Sequence, residues 1–352
     1  MTASPPPDTG PLTAVARGVV GLADAAQSSG FRLPYPPSLQ LALDRVVLDG
    51  LSRRVAVPRG VPELLVWCRE REPREWLPVP PGFLTDGSRL ISRTAIEPTR
   101  TCAELASLGP DGVLEQEAES LMAKLADSCG SIPRFAQCRD FLIHRPVVLR
   151  FDPTEMLQPS RAQAWRLVKD LYKPVPDHFP AEGLVHSCSG CGLLAKADTA
   201  DGPWCEGGCA SEDRKLDVSH QPGQALALTR ALRLFVALPG RTELEVRSRL
   251  GPRSGPFSVD LGVHQIPGPG RSPRAYLVYD RAQPVPAALR AAEVAERFGG
   301  HLDVVVPDRG AADRTYRRAF DRALPGGAQV RLWSVSEFVT HESADKTRSE
   351  HA

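Results

Sequence analysis

A chain of 352 residues, 42% hydrophobic and 24% charged, is long enough for two or three domains with cores of their own and has the composition of an ordinary soluble protein. Basic and acidic side chains nearly cancel, 43 against 42, so no global field draws the chain to nucleic acid and any basic surface has to be local. No uncharged apolar run reaches bilayer length, and the start Met-Thr-Ala-Ser-Pro-Pro-Pro-Asp lacks the basic and apolar regions of a signal peptide; the expectation is a cytoplasmic protein with no membrane partner.

In chain order, residues 1–11 are Pro-rich and read as a disordered tail. From Leu12 to about Ala26, Val15, Val19, Val20, Leu22 and Ala23 recur at helical spacing. After the extended Phe31-Arg-Leu-Pro-Tyr-Pro-Pro37, Ser38 can cap a helix carrying Leu39, Leu41, Leu43, Val46, Val47 and Leu48, with Pro37 blocking extension upstream. Further helices are expected at 61–71, 100–108, 112–127 and 161–172, with 141–150 extended. Residues 12–180 thus read as a mainly helical N-terminal domain. Pro222 and Gly223 precede a helix built on Leu226, Leu228, Leu232, Leu234, Phe235 and Leu238. The remainder alternates: helix 242–250, strands 257–263 and 275–279, helix 285–298, strand 302–306, helix 311–322, strand 329–333, a last helical turn, then a tail over 341–352. That order implies a small α/β domain over 222–340 around a mixed sheet. Thr242-x-x-Glu245 and Ser334-x-x-Glu337 read as capping boxes.

Between these parts, over 183–212, Cys188 and Cys191 stand two residues apart and Cys205 and Cys209 three apart, with thirteen residues between the pairs. Each pair brackets a glycine-bearing turn that can aim two thiolates at one tetrahedral ion. Four thiolates close the coordination shell and leave no place for water, so the spacing predicts a structural zinc knuckle; His186 is a minor alternative ligand. Cys68, Cys102, Cys129 and Cys138 lack paired spacing and read as reduced, buried thiols.

The last third follows the order of the restriction-endonuclease-like nuclease core: a helix with an acid, a strand ending in Asp, a second strand, then helix and strand. There an Asp and a following acid hold a divalent cation such as Mg2+, and a lysine two residues further readies the attacking water. Asp260 is the natural first ligand and Glu243 a helper from the preceding helix. The expected acid and lysine positions read Leu277 and Tyr279, with Asp280 on the opposite face, and no lysine occurs between Lys215 and Lys346. Each acid has a structural competitor: Glu245 can close a capping box, Glu243 can favour a helix N-terminus, and Asp260 beside Gly262 can end a strand. No P-loop and no dinucleotide-binding Gly pattern is present, and Gly268-Pro-Gly270 reads as a connector. Arg314, Arg317, Arg318 and Arg322 fall on one helix face, either as DNA-binding residues that meet phosphates or as a solvated surface.

Several stretches together resemble the restriction-endonuclease-related protein of prokaryotic three-gene islands, encoded beside a PIWI-RE Argonaute-like protein and a DinG-type helicase. They are Leu64-Leu-Val-Trp-Cys-Arg-Glu70 with Trp76, Glu97-Pro-Thr-Arg-Thr-Cys-Ala-Glu104, and Cys138-Arg-Asp-Phe-Leu-Ile-His-Arg-Pro146, which in that family belong to an N-terminal Y domain. The knuckle, Val304-Val-Val-Pro-Asp308 with Tyr316, and Val330-Arg-Leu-Trp-Ser-Val-Ser-Glu-Phe338 are similar as well. The resemblance implies a DNA-directed role in defence against plasmids or phage, with the PIWI-RE protein and the helicase as partners. It also implies that Asp260 matches the family's first metal-binding Asp and Glu243 or Glu245 its helical acid, while Leu277-Val-Tyr279 departs from the Asp-x-Lys strand. The expectation is an α+β multidomain protein with a helical Y-like domain, a four-cysteine zinc knuckle and a restriction-endonuclease-like α/β domain. It would serve as a DNA-binding or scaffolding subunit with a degenerate nuclease site. The alternatives are an active metal-dependent endonuclease using Asp260, or a regulatory adaptor that binds protein alone.

Overall fold

In a computed structural model, the described residues are 9–29, 34–109, 112–150, 158–197, 199, 202–209, 215–251, 257–259, 262–266 and 274–349. Residues 1–8 of the Pro-rich tail, Phe31–Leu33, Asp260 and the Gly268-Pro-Gly270 connector lie outside them. Helix and sheet are both present, as an α+β class requires.

The helical half begins with α1 (Gly10–Ser29) and α2 (Pro37–Arg53). Their apolar stripes, Leu12, Val15 and Val19 against Leu39 and Val46, are buried together. The approach is close because Gly18 carries no Cβ; one placed there would stand 2.9 Å from the Leu39 Cα. Then come α3 (Val61–Glu70), α4 (Arg100–Ala106), α5 (Leu114–Cys129) and α6 (Ile132–His144). Thr99 caps α4, its hydroxyl accepting from the Cys102 N–H at 3.1 Å. The expected extended stretch 141–150 is corrected: α6 runs to His144, and only β1 (Val147–Val148) is strand. Phe135, Cys138 and Leu142 bury at helical spacing, and Pro146 stops the helix. α7 (Pro159–Val168) and β2 (Tyr172–Pro174) complete this half.

β3 (Val185–Cys188), β4 (Leu194–Lys196), β5 (Trp204–Cys205) and β6 (Leu216–Ser219) form an antiparallel sheet in the order β5-β4-β3-β6. Its four cysteines and Leu193 belong to the same apolar cluster as Leu12, Leu64 and Leu238, so knuckle and helices share one core. Leu226 and Leu228 are not helical as expected; they lie in β7 (Leu226–Leu228), the middle strand between β1 and β2. The helix starts after the Thr229 cap as α8 (Arg230–Leu232), continues through a π turn (Arg233–Ala237) and ends as α9 (Leu238–Leu250). Thr242 therefore sits inside a helix, buried, and the Thr242/Glu245 capping box does not form. Glu245 instead pairs with Arg249 at 3.2 Å on the surface.

The last third is β8 (Phe257–Ser258), β9 (Val263–Ile266), β10 (Arg274–Val278), α10 (Pro284–Phe298), β11 (His301–Val306), α11 (Asp308–Ala312), α12 (Arg314–Ala323), β12 (Val330–Ser334) and α13 (Val335–Ser349). The sheet order is β12-β11-β10-β9-β8, with β8, β9 and β10 antiparallel and β10, β11 and β12 parallel. The single strand expected over 257–263 is a hairpin instead. Its turn closes with the Gly262 N–H donating to the Ser258 carbonyl at 2.9 Å, and Gly262 has φ +66. Leu277 and Tyr279 pack with α10 and α12, whereas Tyr276 and Val278 pack with α9 and α13. Asp313 divides the expected helix 311–322 by capping α12, its carboxylate accepting from the Thr315 N–H at 2.7 Å. The Ser334/Glu337 capping box does form, at 2.8 and 3.2 Å, and opens a helix of 15 residues where one turn was expected. Among the described residues no helix is long and apolar enough to cross a membrane.

Candidate functional site

The hairpin of β3 and β4 carries Cys188 and Cys191 at its turn, and β5 brings Cys205 and Cys209 to the same point. One sulfur from each lies within 4.8 Å of the others, and all four are buried. Gly207 is required there, because a Cβ would come within 2.8 Å of the Cys191 sulfur. The Cys209 N–H donates to the Cys205 Sγ at 3.3 Å, an amide contact that favours thiolate. Four converging sulfurs in a shell closed to water fit a tetrahedral ion. His186 is buried in β3 but is not in the cluster.

Ionic clamps hold this knuckle to its surroundings. Glu206 accepts from Arg233 at 2.6 and 2.8 Å, both side chains buried. Lys196 and His178 reach Glu97 at 2.9 and 3.0 Å; burial would raise that carboxyl, and His178 and Lys196 keep it below its ordinary value. Arg100 donates to the Gly207 carbonyl at 3.3 Å, to Glu104 at 2.9 Å, and to the Asp280 carboxylate at 2.9 Å. Glu104 also accepts from the N–H groups of Ala282 and Gln283 at 2.8 and 3.1 Å, and Gln283 donates to the Thr101 hydroxyl at 2.9 Å. The segment Glu97–Glu104 is thus the joint at which the helical half, the knuckle and the end of β10 meet.

Glu243 is the third centre. Arg139 binds both of its oxygens at 2.5 Å and His264 Nε2 approaches one at 2.9 Å. Burial would raise this carboxyl, but Arg139 and then His264 pull it down to about 2. The His264 ring stacks on Tyr276, centroids 4.8 Å apart and planes 12° apart. A pocket of about 570 Å³ opens beside this group, lined by Phe257, Asp140 and Arg247. Val259 and Gly262, which bracket Asp260, line a neighbouring cleft with Glu243. On β10 the positions facing α9 are Tyr276 and Val278, not Leu277 and Tyr279; a one-residue shift of register turns every side chain to the other face. Asp280, at the strand end, is buried between Arg100 and Arg309.

Glu243→Gln has an expected pH signature. Its folded value, about 2, lies below the ordinary 4.5, so its stabilisation is complete above pH 4.5 and is lost as pH falls through about 2. The variant is expected to lose about 3 kcal/mol at neutral pH, with the gap to wild type closing in acid. Urea midpoints measured across that range check it.

On α12, Arg314, Arg318 and Arg322 are exposed, and among the described residues no carboxylate lies within 4 Å of them. Arg317 differs: it is half-buried, pairs with Glu337 and donates to the Ala311 carbonyl at 2.7 Å. Arg139, His264 and Arg100 had no individual signal in the sequence. Glu243 lies 104 residues from Arg139 and 21 from His264, and Asp280 lies 180 from Arg100, whose one local partner is Glu104, so only the motifs containing Arg100 and Arg139 pointed to them.

Residues 11–149 match the family model for pPIWI_RE three-gene island domain Y. The stretches Leu64–Glu70, Glu97–Glu104 and Cys138–Pro146 all fall within that match. No curated protein and no solved structure matches the chain.

Proposed function

Because residues 11–149 carry the Y domain of the PIWI-RE three-gene island, we propose that the chain is a scaffolding and DNA-binding component of that island's defence assembly, with the PIWI-RE protein and a DinG-type helicase as partners. Zinc is the ion assigned to Cys188, Cys191, Cys205 and Cys209, since four thiolates suit it and leave no reactive position. The C-terminal domain is read as a restriction-endonuclease-like core that no longer cleaves. Its order, helix, antiparallel β8-β9-β10, helix, parallel β11, is compatible with that ancestry.

One observation carries the loss of cleavage: both oxygens of Glu243 are taken by Arg139 and His264. Three of the roughly four lone-pair directions of that carboxylate are occupied and a guanidinium already neutralises its charge, which leaves a cation little to bind, and Tyr276 and Val278 offer neither a second acid nor a lysine. The purified chain is expected to leave plasmid DNA intact with magnesium or manganese. Metal-dependent nicking that disappears in Asp260→Ala overturns this reading in favour of an endonuclease.

DNA contact is assigned to Arg314, Arg318 and Arg322. Their joint replacement by alanine is expected to weaken duplex binding for all sequences alike and to flatten the log–log salt dependence by about 2.7, at about 0.9 per phosphate contact. Wild-type binding indifferent to salt, or none, favours the protein-only adaptor.

A further inference from the structure

A cleft of about 360 Å³ beside the knuckle has no part in the reading above. It lies between the Ser189-Gly190 turn of the first cysteine pair and the C-terminal ends of the parallel strands β10 and β11. Two arginines line it, Arg241 from α9 and Arg309 from α11, and both are exposed. Asp280 lines it too, held by Arg100 at 2.9 Å, which also serves Glu104, and by Arg309 at 3.3 Å, so two arginines face two carboxylates there and Arg241 is the charge left over. Among the described residues no carboxylate lies within 4 Å of Arg241.

The seat of Arg241 is built by the knuckle. Gly192 has φ +76, and a Cβ there would stand 2.7 Å from Arg241 Nη1 and 3.1 Å from Pro146, so glycine leaves the guanidinium its place. The larger arginine-bearing cleft under α5 is different in kind. There Arg281 is spent on Glu115 at 2.6 Å and Arg290 on Glu119 at 2.5 Å. The knuckle cleft therefore keeps a net positive charge on Arg241, and Arg309, exposed and at 3.3 Å from Asp280, adds a second planar guanidinium, so that two forks of donors suited to phosphate oxygens face one cleft.

We propose that Arg241 and Arg309 bind a backbone phosphate of a nucleic-acid strand laid across the knuckle, a site separate from α12 that rests on the nucleic-acid-binding reading above. The shared chemistry is an anionic phosphate, which a free nucleotide also carries; the open cleft and the arginines exposed on it favour a strand.

The test is fluorescence anisotropy of the full chain with a labelled single strand over a salt series, with a nucleoside monophosphate as a separate ligand. Arg241→Ala/Arg309→Ala is expected to bind at least about tenfold more weakly, with the salt slope reduced by about 1.4, at about 0.7 per contact on a single strand. Arg241→Lys/Arg309→Lys is expected to keep the slope but lose part of the affinity, because a point charge replaces a fork. Arg59→Ala, an exposed arginine that does not line the cleft, serves as the charge control, and zinc content equal to wild type shows that the knuckle is intact. An unchanged slope in the alanine double variant, with wild-type strand binding present, overturns this site and leaves DNA binding through α12 standing. No single-strand binding by wild type overturns this site, and duplex binding measured on the same chain then decides the α12 reading separately. A monophosphate that binds where the strand does not overturns the strand assignment.

Discussion

Replacing Cys191 with serine is expected to abolish binding of the zinc proposed for the knuckle and to destabilise the chain by more than about 4 kcal/mol, an effect outside the range of ordinary substitutions. The reason is the smallness of what surrounds the cluster. Its four strands have two to four residues each, too short to hold a sheet without a cross-link. A structural zinc contributes on the order of 10 kcal/mol in small thiolate sites, and that free energy is folding free energy. The loss also spreads, because the four cysteines are packed in the same core as Leu193, Leu232 and Leu238. Metal analysis should fall from about one zinc per chain to none, and a chelator should lower the melting midpoint of wild type in the same way. Cys68→Ala, also buried but away from the cluster, should keep its metal. Full zinc content in Cys191→Ser would show that these sulfurs do not form the site.

Arg100→Met is expected to cost about 3 to 5 kcal/mol, the range for removing one partner of a buried ion pair. The side chain is 11% exposed and neutralises Asp280 and Glu104, themselves 9% and 5% exposed. Methionine fills much of the same volume but leaves Asp280 without its closer cation and Glu104 with backbone donors alone. Because those groups join the helical half to the end of β10, the urea transition should also broaden or divide, as two cores that unfolded together come apart. Adding Asp280→Asn to the variant should recover part of the loss by removing the stranded charge. A single transition with the wild-type midpoint would mean that the joint is held by apolar packing alone.

The four metal-binding candidates were legible from spacing, because thiolate pairs bracketing short turns meet one ion in few other ways. β10, β11 and β12 were legible from their apolar runs. Strand 257–263 was not, since the turn that splits it depends on Gly262 adopting φ +66, and Val and Leu on either side carry the same local preference in a strand or a hairpin. The Thr242/Glu245 pattern misled for a related reason. A capping box stabilises only a helix end, and the π turn over Arg233–Ala237 runs directly into α9, which leaves Thr242 in the helix interior.

By itself, the sequence determined the composition of the parts: a helical half bearing the Y-domain stretches, a thiolate knuckle, and an α/β unit whose central strand, Arg274–Val278, contains no acid and no lysine. Only the tertiary structure decided that Glu243 is committed to Arg139 and His264, that Glu97–Glu104 is the joint between the three parts, and that Arg241 and Arg309 share one cleft. The physical reason is range. Helix periodicity, turn glycines and chelate spacing act over a few residues and leave a local record. The pairing of buried charges depends on which distant segments fold against one another, and a carboxylate looks the same in the chain whether it will hold a cation or an arginine.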